Sequence, residues 1–433
     1  MELIKSLNEY AASGRTIKVG LVGAGQMGEG LACQMELMTG MRAFAVADVV
    51  PGRPEAVLKS MRVEKKDYVL TDDLATASQA VRDGKHVGTS DAGILSRIPD
   101  LDIIVEATGI PEIGAQIAYE AILNRKHILQ MNVETDATVG YILRKMARAA
   151  GVVYTLTAGD EPGTTMELYD FAKGLGFEVV AAGKGKNNPL NREGNPENLA
   201  EKAKAQQMNP KMLASFVDGT KTMVEMTSLG NAIGFVPDVR GMHGAEAGPK
   251  TLQDVFIPKK DGGILNNTQV VEYCRGIAPG VFVIFTTDHP KLARDLKYLS
   301  MGPGPYWALY RPYHLTSLET PVSIARAVLN NETTIATDIH PVCETVTYAK
   351  KDLKAGDKID ALGGFTVYGM IESSAVAAEE DLLPLGLAPN AVLKRDVKMG
   401  EPVSYADVDI DTSTTIYHLR TLQEKTIARE KNA

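Results

Sequence analysis

Near its start the chain runs an apolar segment, Ile17-Lys18-Val19-Gly20-Leu21-Val22, straight into Gly23-Ala24-Gly25-Gln26-Met27-Gly28. Three glycines at this spacing, between a strand and a helix, answer three physical demands. Gly23 permits the tight turn, Gly25 leaves no side chain where a pyrophosphate must approach the backbone, and Gly28 lets the helix pack close to the strand. The helix, beginning near Gln26 and Met27, aims its free N–H groups at the phosphates. A second apolar run, Ala43-Phe44-Ala45-Val46-Ala47, ends in Asp48, placed to accept hydrogen bonds from an adenosine ribose. Asp48 favours NAD, because a carboxylate repels a 2′-phosphate. Arg53 on the same loop would pair with that phosphate and favour NADP.

A chain of 433 residues divides into two or three domains. The net charge is −8, and Lys and Arg are interspersed with Asp and Glu, which argues against a nucleic-acid partner. Cys33, Cys274 and Cys343 are too scattered for a disulfide framework and read as buried small hydrophobes. Met1 to Arg15 lacks a signal-peptide core, and no apolar run approaches membrane-spanning length, so the expectation is a cytoplasmic protein with no membrane partner.

The expected fold class is α/β: a Rossmann dinucleotide-binding domain over 1–155, an α+β substrate domain over 156–319, a helix returning to the nucleotide domain within 320–342, and a small C-terminal β-clip-like domain with a final helix over 343–433. Val63 to Lys85 reads as charged and helical, and His86–Thr89 as a short edge strand. Leu101 to Gly109 reads as a buried parallel strand ending in a glycine loop, with a helix from Pro111 to Asn124 behind it. Ligands bind at the carboxyl ends of such strands. Ala107, Thr108 and Gly109 therefore join the cofactor candidates, and so does Asn132, after the strand His127 to Met131.

The strand Val152 to Thr157 leads into Ala158-Gly159-Asp160-Glu161-Pro162-Gly163-Thr164-Thr165, whose threonines can cap a helix from Met166 to Leu175. The adjacent carboxylates Asp160 and Glu161 suit a divalent cation or proton transfer, or are loop carboxylates favoured by the helix dipole. Lys184, Lys186, Asn187 and Asn188 lie on what reads as a flexible glycine loop, holding a phosphate or simply solvated. In Ser215 to Met226, the spacing of Asp218, Lys221 and Glu225 predicts one helical face. That face is either an exposed ion-paired surface or, given the apolar neighbours Met223, Val224, Met226 and Leu229, the border of a cavity. His243 reads as a ligand or a structural histidine, and His289 and His340 as turn residues before proline. Lys350-Lys351-Asp352-Leu353-Lys354-Ala355-Gly356-Asp357 recurs as Lys394-Arg395-Asp396-Val397-Lys398-Met399-Gly400-Glu401, an internal repeat within a small β module.

The first domain and Glu106-Ala107-Thr108-Gly109 resemble the homoserine dehydrogenase-type oxidoreductases, which carry Asn-Lys where this chain has Asn132-Val133. The module resembles the SAF β-clip domain. Asn132-Val133-Glu134, Phe216 to Lys221 and Gly304-Pro305-Tyr306-Trp307 through Tyr310-Arg311-Pro312-Tyr313-His314-Leu315 together resemble the 1-deoxy-D-xylulose 5-phosphate reductoisomerase-like proteins. That resemblance implies an NADPH-dependent rearrangement and reduction of a small phosphorylated sugar to 2-C-methyl-D-erythritol 4-phosphate for isoprenoid biosynthesis, with NADH as the other possible cofactor. It also implies Mg²⁺ or Mn²⁺ held by Asp160 and Glu225, with Asp218, Lys221 and Glu161 as catalytic groups. Lys184, Lys186, Asn187, Asn188, Arg311 and His314 would bind substrate, in a homo-oligomer. A dehydrogenase of another hydroxy acid or ketose, and a non-catalytic nucleotide sensor, are the alternatives.

Overall fold

The computed structural model describes residues 3–432; Met1, Glu2 and Ala433, at the ends of the terminal segments read above, lie outside the described residues. The chain forms two compact units. One contains the chain through Gly163, Leu315–Asp338 and the stretch from His418 onward; the other contains Thr164–His314 and Ile339–Tyr417.

The first unit is built on seven parallel strands: β1 Ile17–Val22, β2 Met41–Ala47, β3 Tyr68–Leu70, β4 His86–Thr89, β5 Ile103–Glu106, β6 His127–Gln130 and β7 Tyr154–Leu156. Their spatial order is β3-β4-β2-β1-β5-β6-β7. Helices cover such a sheet on both faces, which is why β1 and β5 read as continuous apolar runs. The order reverses between β1 and β5, so the ends of these two strands flank the crevice where open α/β sheets take ligands. His86–Thr89 is an inner strand rather than an edge, because the three-residue β3 pairs outside it. The helical reading of Val63 to Lys85 is correspondingly replaced by a 3₁₀ turn, β3 and the helix Leu74–Arg82.

Two later segments complete this unit. The helix Thr320–Asn330 buries Ile324, Ala325 and Ala327 in one core with Leu7, Val19, Met35 and Met41. The C-terminal helix Thr415–Lys431 places Gln423 against the helix Val133–Ala150, where Gln423 donates to the Thr138 carbonyl and accepts from the Ile142 N–H, each at 3.2 Å.

The second unit carries β8 Glu178–Gly185, β9 Val236–Pro237, β10 Val270–Cys274, β11 Val281–Thr286 and β12 Tyr306–Arg311, in the order β12-β11-β8-β10-β9. The sheet is mixed: β8, β10 and β9 run parallel, and β11 is antiparallel to both β8 and β12. Phe256 and Phe282 stack in its core with centroids 4.9 Å apart. Two antiparallel pairs follow, β13 Cys343–Ala349 with β14 Val367–Ser373 and β15 Val392–Leu393 with β16 Val408–Asp409. The repeat is visible as a reciprocal clasp. Asp352 accepts from the Lys398 ammonium and the Met399 N–H, and Asp396 accepts from the Lys354 ammonium and the Ala355 N–H.

The helix Thr220–Ile233 joins sheet and module within this unit. Thr227 and Thr345 share a hydroxyl hydrogen bond of 2.7 Å, and the Asn231 amide oxygen accepts from the Val342 and Cys343 N–H groups, each at 2.8 Å. The fold is therefore α/β, with a parallel Rossmann-like sheet, a mixed sheet and small C-terminal antiparallel pairs.

Candidate functional site

In the first unit the glycine turn has the geometry a dinucleotide needs. Gly23 sits at φ +102°, which a side chain would strain, and a Cβ there would lie 2.8 Å from the Ala107 carbonyl. A Cβ on Gly28 would lie 2.0 Å from the Gly23 carbonyl oxygen, so the helix Gln26–Met35 can approach only without one. A Cβ on Gly25 would meet nothing within 4 Å. Two of the glycines are thus required by packing, whereas the third leaves open a cradle that a Cβ would fill, at a helix N-terminus.

Asp48 is anchored beside the turn: Oδ2 accepts from the Ala24 N–H and Oδ1 from the Val50 N–H, each at 2.8 Å. The Arg53 guanidinium is half exposed, 3.8 Å from Asp48 Oδ2. Gln26 is exposed and Met27 half-buried at the helix start. The loop Ala107–Gly109 leaves β5 directly beside Gly23, and Asn132 caps the helix Val133–Ala150 by accepting from the Thr135 N–H while donating to the Ile110 carbonyl.

Beneath this loop lies Glu106, a residue that sequence reasoning quoted in a motif without giving it a role. It is fully buried and accepts from both the N–H and the hydroxyl of Thr108, so it shapes the loop. Its other oxygen has no hydrogen-bond partner. Burial pushes its carboxyl up to about 7. Because the folded value lies above the unfolded one, this group's stabilising contribution is complete below about pH 4.5 and is lost as pH rises through about 7. Wild-type stability is expected to fall by up to about 3 kcal/mol from this group across that window, and Glu106→Gln to flatten the slope. Urea unfolding at several pH values measures both, and equal slopes in the two proteins would dismiss the assignment.

Asp160 and Glu161 lie past the end of β7, at the start of the helix Glu161–Gly174, and both are buried. Thr164 and Thr165 lie inside that helix rather than capping it, because it begins earlier than the sequence suggested. A Cβ on Gly163 would fall 2.1 Å from the Thr157 carbonyl oxygen, which shows how tightly this helix start is pressed against the strand end.

In the second unit, Lys184 belongs to β8 and not to a flexible loop, and Lys184 and Lys186 are both buried. The glycines around Lys184 serve close strand packing: a Cβ on Gly183 would lie 2.0 Å from the Glu272 carbonyl oxygen. Lys184 pairs with Glu225, and the Lys186 ammonium donates to the Phe216 carbonyl. Burial, with Lys184 adding repulsion, holds Lys186 down to about 8.

Asp218 does not share a helical face with Lys221 and Glu225. Gly219, at φ +88°, ends the helix Pro210–Val217 and starts the next, leaving Asp218 at the break. There Asp218 accepts from the Thr220 N–H and from the Lys350 ammonium, each at 2.8 Å. Lys221 is half-buried and Glu225 buried on the helix that follows. Asn187 is exposed, and Asn188 accepts from Lys202 at 3.0 Å. Arg311 ends β12 and pairs with Glu167 at 3.1 Å, and His314 is half-buried beyond it. His243 lies between two buried carboxylates, with Nδ1 2.6 Å from Glu272 and Nε2 3.5 Å from Asp238. His289 caps the helix Pro290–Tyr298 by accepting from the Lys291 N–H. Lys350 and Arg192 are the charged residues that sequence reasoning missed here; the position of Lys350 at the head of the repeat was the available signal.

Residues 159–320 match the family model described as Oxidoreductase DRL, catalytic domain, and residues 344–409 match the SAF domain. The class this defines is an oxidoreductase carrying an SAF domain. No curated protein matches the sequence. Among solved structures, a probable dehydrogenase from Thermotoga maritima is 10% identical, the match covering 73% of this chain and 90% of that one at a TM-score of 0.42. A scyllo-inositol dehydrogenase from Lactobacillus casei, with bound NAD(H) and scyllo-inositol, is 12% identical over 75% and 92% of the two chains at a TM-score of 0.40. A putative myo-inositol dehydrogenase from Sinorhizobium meliloti 1021 is 13% identical over 73% and 90% at 0.38. The family models describe an oxidoreductase catalytic domain and an SAF domain, and the reading as a 1-deoxy-D-xylulose 5-phosphate reductoisomerase-like protein is corrected accordingly. The isomerase step and the place in isoprenoid biosynthesis fall with it. Among the described residues no helix is long and apolar enough to cross a membrane.

Proposed function

We propose that this oxidoreductase is a nicotinamide-dinucleotide-dependent dehydrogenase acting on a small hydroxy acid, ketose or related polyol. The observation that carries this reading is the glycine turn, in which packing excludes side chains at Gly23 and Gly28 while the space beside Gly25 stays open. A nicotinamide held there would exchange a hydride with a carbinol carbon, and the chain must bind the substrate and move the accompanying proton. Lys221 and Glu161 are the proposed proton-transfer groups. Asp218, held by Lys350 and by the Thr220 N–H, is proposed to position the helix that carries Lys221.

The anchored carboxylate of Asp48 supports NAD(H) over NADP(H). Asp48→Ala is expected to weaken NADH about tenfold or more and to narrow the gap to NADPH, since a hydrogen bond to a charged group contributes about 1.5–3 kcal/mol. Fluorescence titration of the two dinucleotides reads this directly, and a wild type that prefers NADPH would reverse the assignment.

Turnover is tested by following nicotinamide absorbance with hydroxy acids, polyols and ketoses, in the presence of Mg²⁺ or Mn²⁺ and again with EDTA. Asp160 and Glu225 are the proposed ligands of that metal; turnover that depends on it and is lost in Asp160→Asn and in Glu225→Gln would support this role. Turnover untouched by EDTA would remove the metal from the proposal. Dinucleotide binding without turnover on any compound would replace the dehydrogenase with a nucleotide sensor.

A further inference from the structure

One cluster in the second unit, Lys184, Lys186, Arg192 and Lys350, holds more positive charge than the two carboxylates paired with it, Asp218 and Glu225, balance. Lys350 is fully committed, donating to Asp218 at 2.8 Å and to the carbonyls of Gly194 and Gly364 at 2.7 and 2.9 Å. Lys184 is paired with Glu225. Lys186 and Arg192 remain, and among the described residues neither forms an ion pair. Their hydrogen bonds go to main-chain carbonyls: Lys186 to Phe216 and Arg192, at 2.6 Å, to Asp218. Those carbonyls close the helix Pro210–Val217, whose C-terminus carries about half a negative charge. Two whole cations exceed that. Asp218 and Glu225 also attract Lys186, but each is already matched by another lysine.

Aromatic donors stand beside this surplus. The Arg192 guanidinium lies over the Tyr368 ring, 4.6 Å from its centroid, and Tyr273, Tyr348 and Tyr368 are all close enough to act on its charge. Tyr348 accepts from Arg240 at 3.0 Å. Among the described residues the hydroxyls of Tyr273 and Tyr368 make no hydrogen bond, and although both residues are largely buried, the two hydroxyl oxygens themselves stay accessible. Two cations and two uncommitted O–H donors form a set with no acceptor of its own, and a guanidinium fork suits a carboxylate or phosphate.

We propose that Lys186, Arg192 and the hydroxyls of Tyr273 and Tyr368 bind the anionic group of the substrate, a carboxylate or a phosphate monoester. The SAF module thereby supplies a binding residue, Tyr368 on β14, alongside Tyr273 on β10 of the mixed sheet. Naming the anion as substrate rests on the dehydrogenase reading; the anion site itself does not.

The test is calorimetric titration of the full chain with inorganic phosphate and, separately, with glycerate, alongside NADH. Saturable binding of at least one anion is expected, weakened at least tenfold in Arg192→Met and several-fold in Tyr368→Phe, with NADH affinity unchanged in both variants. Phosphate alone would mark a phosphate monoester, glycerate alone a carboxylate. Should Arg192→Met not fold, Tyr368→Phe decides, because it removes one hydroxyl and leaves the ring. A wild type that binds neither anion, or variants that bind as tightly as wild type, would overturn the site. Anion binding without NADH binding would leave this site standing and remove the dinucleotide reading instead.

Discussion

Gly25→Val is expected to fold as the wild type does and to lose dinucleotide affinity by at least about 100-fold, close to 3 kcal/mol. The backbone at Gly25 has φ −80°, which any residue adopts, and an added Cβ meets nothing within 4 Å. Folding therefore has no reason to object. The new branched side chain nonetheless occupies the space that a pyrophosphate needs to reach the helix N-terminus. Gly28→Ala provides the contrast, because its Cβ would fall 2.0 Å from the Gly23 carbonyl oxygen. Strain of this kind costs about 1–3 kcal/mol or more, so this variant loses stability as well as binding. Chemical denaturation and NADH titration of both proteins separate the two effects. Undiminished NADH affinity in Gly25→Val would end the assignment of this turn to a dinucleotide.

Lys350→Met is expected to destabilise the protein by about 3–5 kcal/mol, because it leaves Asp218 buried without its cation. The lost contacts extend beyond the ion pair, since the same ammonium satisfies the carbonyls of Gly194 and Gly364. Adding Asp218→Asn removes the unbalanced charge, and the double variant should recover a substantial part of the loss. Urea denaturation of the two single variants and the double variant forms the cycle. If the double variant is as unstable as the sum of its parts, the pair contributes packing and not charge compensation.

The legible parts of this molecule are those whose physics is local. β1 and β5 announce themselves because a parallel strand covered on both faces must be apolar throughout, and the glycine turn announces itself because each glycine answers a separate steric demand. β3 offered no such signal, having only three residues, and its absence from the reading made β4 look like an edge. Lys184 was placed in a loop because Gly183 and Gly185 flank it. Those glycines in fact admit neighbouring backbones, the Glu272 carbonyl at Gly183 and Ala278 at Gly185. The spacing of Asp218, Lys221 and Glu225 looked helical, but Gly219 takes a left-handed conformation and interrupts it. The partner of Asp218 lies 132 residues away, and no periodicity reports a contact at that separation. The repeat was readable because each copy carries the same Asp and Lys that clasp the other.

The first unit draws on three separated stretches of chain, and the last of them includes Gln423, which satisfies backbone groups of the helix Val133–Ala150. During synthesis the sheet of this unit is made before the second unit and its last helix after it. The nascent sheet can form while the second unit is still being made, but Ile324 and its neighbours must arrive to fill its core, and its closing helix comes later still. Loss of the helix Thr415–Lys431 would therefore injure a sheet made much earlier, far along the sequence from the cut.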